Sequence, residues 1–397
     1  MAHALLLLEL FFSLRYLPNS SPSMLNIRNV VMVFAAASQA PADQSICTHP
    51  DGSTSPCQPG NQECSQSGYG PDAPQFHVRD NSCAENDPQF PYYDPTHGVY
   101  HLHYQNHVGL HGGRTVGHAV SRDLAHWAHM PISIWNDHPY DQNAIFTGSA
   151  STVNGETVLV YPGLCDARKA GCPGGTNLCI AVPADPADPL QTNWTKDEYA
   201  QNPIVNGTQR DPSTAWQNPC GEWQLTTFDT IIYGSMDFKS WYKIGAQPGF
   251  VHGECPSFFP LPRTTPFAGP APTGAETPSH VHLSTHDIGG DLMVVGTYVP
   301  GERGKVGIFK QTPGVPFTGT KIDIGVTKAT KDFYDPVKKR RIHWSSVHVG
   351  DHSSPARDFS GFVQSMPREV TWNPELQQTV HSPIEEQALL RGRVIGS

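Results

Sequence analysis

An Asp-Pro dipeptide followed by an aromatic-rich strand-like stretch occurs three times, and this repetition constrains the fold more than any other feature of the chain. Asp94-Pro95 precedes Val99-Tyr-His-Leu-His-Tyr104, Asp211-Pro212 precedes Glu222-Trp-Gln-Leu-Thr-Thr-Phe228, and Asp335-Pro336 precedes Arg341-Ile-His-Trp344. Proline opens a turn and cannot extend a central strand, so each copy punctuates sheet structure. A second echo sets Ser121-Arg-Asp-Leu-Ala-His-Trp127 against Ser235-Met-Asp-Phe-Lys-Ser-Trp241, with Asp turning the chain and Trp filling a core slot. With 36 Gly and 37 Pro, about 18% of positions interrupt regular helix, against roughly 12% on average. No helical pattern of ten residues or more runs between Asn86 and Trp372. Radially repeated four-stranded sheets, an all-β propeller, account for this spacing better than βαβ units, with a β-sandwich as the alternative.

Composition narrows the partners. The 26 Lys+Arg against 36 Asp+Glu give a net charge of −10, which argues against binding a phosphate backbone and suits a neutral or cationic ligand. The apolar runs Ala4 to Phe12 and Val30 to Ala37 are too short to span a membrane. From Met24, the order Arg28, apolar core, then Ser38-Gln-Ala40 fits a secretory signal, so residues 1–40 are assigned to targeting and the protein to a secreted, vacuolar or extracellular location. The sequons at Asn193 and Asn206 fit the same route. Nine cysteines without a CxxC pair favour disulfides over zinc. Four of them, Cys47, Cys57, Cys64 and Cys83, lie in an irregular Cys-rich extension over 41–84; the propeller is expected over 85–375, with a tail over 376–397.

Strands at the start of propeller blades line the central axis, so acids remote in sequence converge there. Asp87, Asp211 and Glu254 occupy such positions, in Asn86-Asp-Pro88, Arg210-Asp-Pro212 and Gly253-Glu-Cys-Pro256. Any one of them alone reads more readily as a turn residue. From about Asn86 to Arg391 the chain resembles glycoside hydrolase family 32, the invertases and fructan hydrolases. The matches occur in family order: Asn86-Asp-Pro88, Tyr100-His-Leu-His-Tyr-Gln105, Gly117 to Trp127, Thr147-Gly-Ser-Ala150, Arg210-Asp-Pro-Ser-Thr-Ala-Trp216, Glu254-Cys-Pro256 and Phe333-Tyr-Asp-Pro-Val-Lys-Lys-Arg-Arg341. The plant-type enzymes look closest.

The resemblance implies a five-bladed propeller followed by a β-sandwich, and hydrolysis of terminal β-D-fructofuranosyl linkages in sucrose or fructans with retained configuration. Asp87 is then the nucleophile, Glu254 the general acid/base with its pKa raised by burial and neighbouring anions, and Asp211 the transition-state stabiliser. Asn86, Gln105, Trp127, Phe146, Arg210 and Asp141 are the candidate substrate contacts, with core packing an equal reading for Trp127. The resemblance also implies a free Cys255 thiol, leaving eight cysteines for pairing. No cofactor is implied, and His101-x-His103 lacks a third ligand by spacing, so no metal is expected. A fructosyltransferase would use the same residues. A catalytically weakened carbohydrate-binding propeller is the alternative from another class, and an arabinan-active relative is disfavoured by motif order.

Several positions depart from the family pattern. Gln89-Phe90 replaces Asn-Gly after the nucleophile motif, which predicts a re-aimed Asp87 or a narrowed pocket. Gly253 stands for Trp, Ser257 for Asp, Phe146 for Trp, and His286 and Gly289 for the Asp and Lys of sucrose-preferring members. The chain stops soon after Ile384 to Arg391, which in relatives leads into the sandwich; exposed propeller surface and a partner or oligomer are the expectation. The Lys338 to Arg341 run reads as a solvated hairpin rather than a nuclear signal.

Overall fold

The computed structural model describes residues 46–48, 54–56, 74, 76–80, 85–109, 113–286, 290–313, 319–323, 325, 327–349 and 361–393. The chain divides into two units, 1–42 and 43–397, and every described residue lies in the second. The targeting assignment, Cys57, Cys64, Cys83 and Gly289 fall outside the described residues.

A short hairpin of β1 (Ile46–Thr48) and β2 (Thr54–Pro56) precedes five antiparallel sheets that follow one another along the chain. The first holds β3 (Glu85–Asp94), β4 (Val99–Asn106), β5 (Thr115–Ser121) and β6 (Ala128–Ile134) in sequence order. In the second, β7 (Ala144–Ile145) and β8 (Ser149–Val153) both pair with β9 (Glu156–Leu164), followed by β10 (Thr176–Pro183) and β11 (Trp194–Thr195). The third runs β12 (Trp216–Gln217), β13 (Trp223–Thr226), β14 (Ile231–Ser235), β15 (Tyr242–Ala246). The fourth runs β16 (Glu254–Pro260), β17 (His280–His286), β18 (Gly290–Val299), β19 (Ile308–Gln311), with β20 (Thr320–Lys321) also on β18. The fifth runs β21 (Thr327–Asp335), β22 (Arg340–Val349), β24 (Arg368–Asn373), β25 (Gln378–Pro383), with β23 (Gly361–Gln364) also on β22.

Each sheet is apolar on both faces because it is one blade of a ring. The five buried clusters are the five seams: Phe90 and Tyr92 meet Ile145 and Tyr161, Val158 and Ile180 meet Leu225 and Phe238, Ile232 meets Phe258 and Phe309, Phe259 and Leu283 meet Val370 and Trp372, and Phe333 and Trp344 meet Tyr100 and Leu102. The last seam joins the final blade to the first, so the ring closes and the sheets have no bare faces. Residues just before the first blade help to close it: Gln364 N–H donates to the Val78 carbonyl at 2.9 Å, and Gln364 Nε2 donates to Glu85 at 3.1 Å. The propeller therefore takes in Val78 at its start, and β25 carries the fifth blade to Pro383, beyond the expected boundary at 375.

The Ser-x-Asp echo is one turn built twice. Asp123 accepts from the Ala125 and His126 N–H groups, and Asp237 from those of Lys239 and Ser240. Leu124 and Phe238 take φ of 60° and 62°, and Trp127 and Trp241 each donate Nε1–H to the carbonyl of that residue at 3.1 Å. The three Asp-Pro copies are not equivalent. Asp94 and Asp335 cap the β3–β4 and β21–β22 hairpin turns, accepting from Thr96 N–H at 2.8 Å and Val337 N–H at 3.0 Å, whereas Asp211 precedes its blade's first strand. The basic run does form the hairpin turn, but it is only partly solvated. Arg340 is buried on Asp335 and Glu386, and Arg341 pairs with Asp332 at 2.6 Å.

Among the described residues Cys165 and Cys172 form a disulfide, while Cys179 and Cys220, expected to be available for pairing, are free thiols along with Cys255.

The histidines of β4 and β5 form a buried stack. His103 lies flat on His118 with ring centroids 4.1 Å apart, and a ring nitrogen of His101 meets one of His118 at 3.0 Å. Burial lowers the pKa of His101 to about 4 and holds His103 and His118 well below the ordinary value. The unfolded chain takes up these protons near pH ~6.5 and the folded chain does not. Stability contributed by the stack is therefore present above ~6.5 and declines as pH falls, by up to ~1.4 kcal/mol per unit and per histidine. Asp211 and Asp291, raised by burial to about 7 and about 6, act in the opposite sense and favour the fold at low pH. Comparison with His103→Leu isolates the histidine contribution: the variant's Tm should fall less steeply between pH 6.5 and 4.5 than that of the parent chain. Parallel slopes would refute this account.

Candidate active site

The acids are delivered to the ring's axis by irregular backbone. β3 pairs with β4 through Glu85 and then Pro88, and skips again between Gln89 and Tyr92, so Asp87 and Phe90 both lie in bulges. β16 skips between Glu254 and Ser257, with Cys255 at φ 50°. Asp211 has φ 62°, a left-handed conformation that Asp tolerates better than most residues. Bulges turn a strand locally and re-aim its side chains, and here they do so where the acids stand.

The result is one connected cluster. Cys255 Sγ lies 3.8 Å from Asp87 Oδ2, and the Cys255 N–H donates to Asp211 Oδ2 at 3.1 Å. Arg210 donates to Glu254 and lies 3.5 Å from Asp211. The residue bearing the buried thiol thus touches two of the acids and is joined by a peptide bond to the third.

Asp87 is held on both oxygens. Thr147 Oγ1 donates to Oδ2 at 2.6 Å, and Asn86 Nδ2 donates to Oδ1 at 2.9 Å. Gln105 Nε2 donates to Thr147 Oγ1 at 3.0 Å, so Gln105 acts on Asp87 through the threonine. His107 Nε2 sits 2.5 Å from Asn86 Oδ1 and fixes the amide from behind. Phe146 is half-buried beside Thr147, with the Arg114 guanidinium 5.6 Å from its ring centre.

Asp211 is buried, and burial pushes its carboxyl up to about 7 against the opposing pull of Arg210, Lys331 and the Cys255 N–H. Burial and the Asp211 and Asp87 carboxylates also push the Cys255 thiol well up, so it stays protonated. At Glu254 the nearest charge is the Arg210 guanidinium, a cation where anions were expected. Arg210 also stacks on Phe228, 4.4 Å from its ring centre, and His252 meets Phe228 edge-on with ring centroids 4.3 Å apart.

Phe90 does not fill the site. Its backbone keeps the left-handed φ of 47° that glycine prefers, and its ring is fully buried in the first seam, against Gly148 and edge-on to His103. The ring is housed in the seam and the cost falls on the backbone, on the order of 1–3 kcal/mol. Gly253 stands where an added Cβ would lie 2.5 Å from the Thr285 carbonyl, so here the chain cannot carry the family's Trp without moving.

Two candidates lie elsewhere. Asp141 is fully buried and committed to Lys196 at 2.7 Å, Tyr161 at 3.2 Å and the His138 N–H at 2.9 Å, which leaves it no surface to offer a sugar. Trp127 packs edge-on to Trp344 in the closing seam, and its N–H is taken by Leu124. Among the described residues one group, Asp137, His138 and Asp141, gathers ligand-type atoms within 4.8 Å, but Lys196 Nζ already sits among them, 2.6 Å from Asp137. Thr147 and Lys331, which sequence reasoning did not assign to the site, both belong to its immediate surroundings.

Residues 77–383 match the family model described as "Glycosyl hydrolases family 32 N-terminal domain". This chain belongs to glycosyl hydrolase family 32. It is 34% identical over 354 residues to an acid beta-fructofuranosidase of Vigna radiata var. radiata, covering 80% of this chain and 51% of the relative. To "Acid beta-fructofuranosidase 4, vacuolar" of Arabidopsis thaliana it is 32% identical over 345 residues, covering 80% and 50%. The chain thus spans about half the length of the curated relatives it matches. Fructan 1-exohydrolase IIa from Cichorium intybus superposes with a TM-score of 0.66 at 28% identity, over 80% of this chain and 62% of that one. The five-bladed propeller thus matches the family 32 N-terminal domain in sequence and a fructan 1-exohydrolase in shape.

Proposed function

We propose that this family 32 chain hydrolyses terminal β-D-fructofuranosyl linkages of sucrose or fructans, with retained configuration. The observation that carries the reading is the convergence of Asp87, Asp211 and Glu254 around Cys255, three acids from three blades. Asp87, gripped by Thr147 and Asn86, attacks the anomeric C2 as oxocarbenium character develops. Glu254 gives its proton to the departing oxygen, then takes one from the water that releases fructose. Asp211 and Arg210 bind the fructose hydroxyls, and the Asp211 carboxylate stabilises the developing positive charge.

The names of its relatives, which include an acid beta-fructofuranosidase, a vacuolar form of one and a fructan exohydrolase, support the substrate class and a secretory or vacuolar location. Among the described residues no helix is long and apolar enough to cross a membrane. A second reading, a sugar-binding propeller with weakened catalysis, draws on the Arg210–Glu254 pair, which commits the acid/base side chain to a protein cation.

Incubating the purified chain with sucrose, inulin and levan and resolving the sugars decides between these readings. Free fructose is the expected product. Longer oligosaccharides would mean that a sugar rather than water intercepts the intermediate, and sugar binding without products would establish the binding module.

A further inference from the structure

Lys331 is a charged side chain at the centre of the ring. It lies on β21, the first strand of the fifth blade, and is 1% exposed. Its Nζ donates to Ser149 Oγ at 3.1 Å, to the Pro212 carbonyl at 3.3 Å and to the Pro256 carbonyl at 3.4 Å. These partners belong to the second, third and fourth blades, and Ser149 Oγ itself donates to the Pro212 carbonyl at 2.8 Å. Pro212 follows Asp211 directly, and Pro256 follows Glu254 and Cys255. All three ammonium protons are therefore spent on the backbone and hydroxyl groups that carry the acids.

The lysine is itself held by a bulge. β21 skips between Lys328 and Lys331, with Ala329 at φ 57°. The Ala329 N–H donates to Thr285 Oγ1 at 2.9 Å, while Thr285 and Thr330 both donate to the buried Asp291. The charged groups around Asp211 are Arg210, Lys331 and Asp87, with the Cys255 thiol alongside. Of the two cations, Arg210 is one-third exposed and shared with Glu254, whereas Lys331 is out of contact with water. An ammonium buried this deeply costs several kcal/mol unless its protons are hydrogen-bonded, and here all three are taken, near the Asp211 carboxyl.

We propose that Lys331 is a positioning residue of the site: it ties the segments bearing Asp211 and Glu254 to one axial point and places a buried positive charge beside Asp211. This rests on the fructoside-hydrolase reading for its consequence in turnover, but not for its effect on Asp211.

The test therefore has two readouts. The Asp211 carboxyl is titrated by 13C NMR in aspartate-labelled protein, assigned by its loss in Asp211→Asn, and kcat/KM for sucrose or levan is followed against pH. In Lys331→Met the Asp211 midpoint should rise by about 1–3 pH units, as expected when an opposite charge is removed. The acidic limb of kcat/KM should move the same way, with kcat falling more than KM rises. A purely structural lysine would lower Tm and leave both unmoved. Should Lys331→Met fail to fold, Lys331→Gln, which keeps donors for two carbonyls but no charge, must show the same midpoint shift. An unshifted midpoint in either folded variant overturns the proposal. If the parent chain itself releases no fructose, the fructoside reading fails, while the NMR midpoint still decides the role of Lys331.

Discussion

Replacing Asp87 with Ala should lower fructose release by about 10⁴-fold or more, at or above the upper end of the ~10²–10⁴-fold that a single proton-transferring group contributes. Thr147 and Asn86 converge on this carboxylate and hold both of its oxygens. Glu254→Gln should cost ~10²–10⁴-fold on sucrose. The two losses are separable. A fructoside with a good leaving group needs little proton donation, so on such a substrate the first step should recover in Glu254→Gln and stay absent in Asp87→Ala. Rates measured on sucrose and on an aryl fructoside check this directly. If both variants are affected alike on both substrates, the division of roles is wrong.

The second large effect concerns stability. Arg340 Nε donates to Asp335 at 2.9 Å, its two terminal nitrogens reach Glu386 at 3.0 and 2.6 Å, and Tyr100 donates to the other Asp335 oxygen at 3.2 Å. Asp335 and Arg340 are almost wholly excluded from water. Breaking such a pair from one side leaves a buried charge short of its partner and typically costs ~3–5 kcal/mol. Asp335→Ala should lose that amount in urea unfolding. Glu386→Ala should lose less, because Glu386 is nearer the surface and Asp335 remains. Equal losses would mean that the buried position is not what sets the magnitude.

Much of the architecture was legible because its signals are local. The Asp123 and Asp237 turns each need only seven residues to declare themselves, and the absence of helical periodicity removed most other folds. The acids were legible for a related reason: each stands one or two residues before a proline near a blade's first strand, and in a ring those strands share an axis. The surrounding groups were harder to find. Lys331 lies in Ala329-Thr-Lys-Asp-Phe333, which read alone suggests a strand with one face in solvent. Only closure of the ring puts that face at the axis. Asp141 and Arg340 misled in the same way, since burial decided by distant segments turned an assumed sugar contact and an assumed solvated turn into internal ion pairs. Phe90 shows the converse: its conformation follows the left-handed need at that position, but its ring found room in a neighbouring seam.

The closing seam also bears on how the chain is made. Glu85 and Gln364 meet across 279 residues, and the flank of the first blade that receives Phe333 and Trp344 is covered by the last. During synthesis from the N-terminus, that greasy flank stays wet until the fifth blade has left the ribosome. Four finished blades would therefore be a sticky open arc, and chaperone demand should peak just before the fifth emerges.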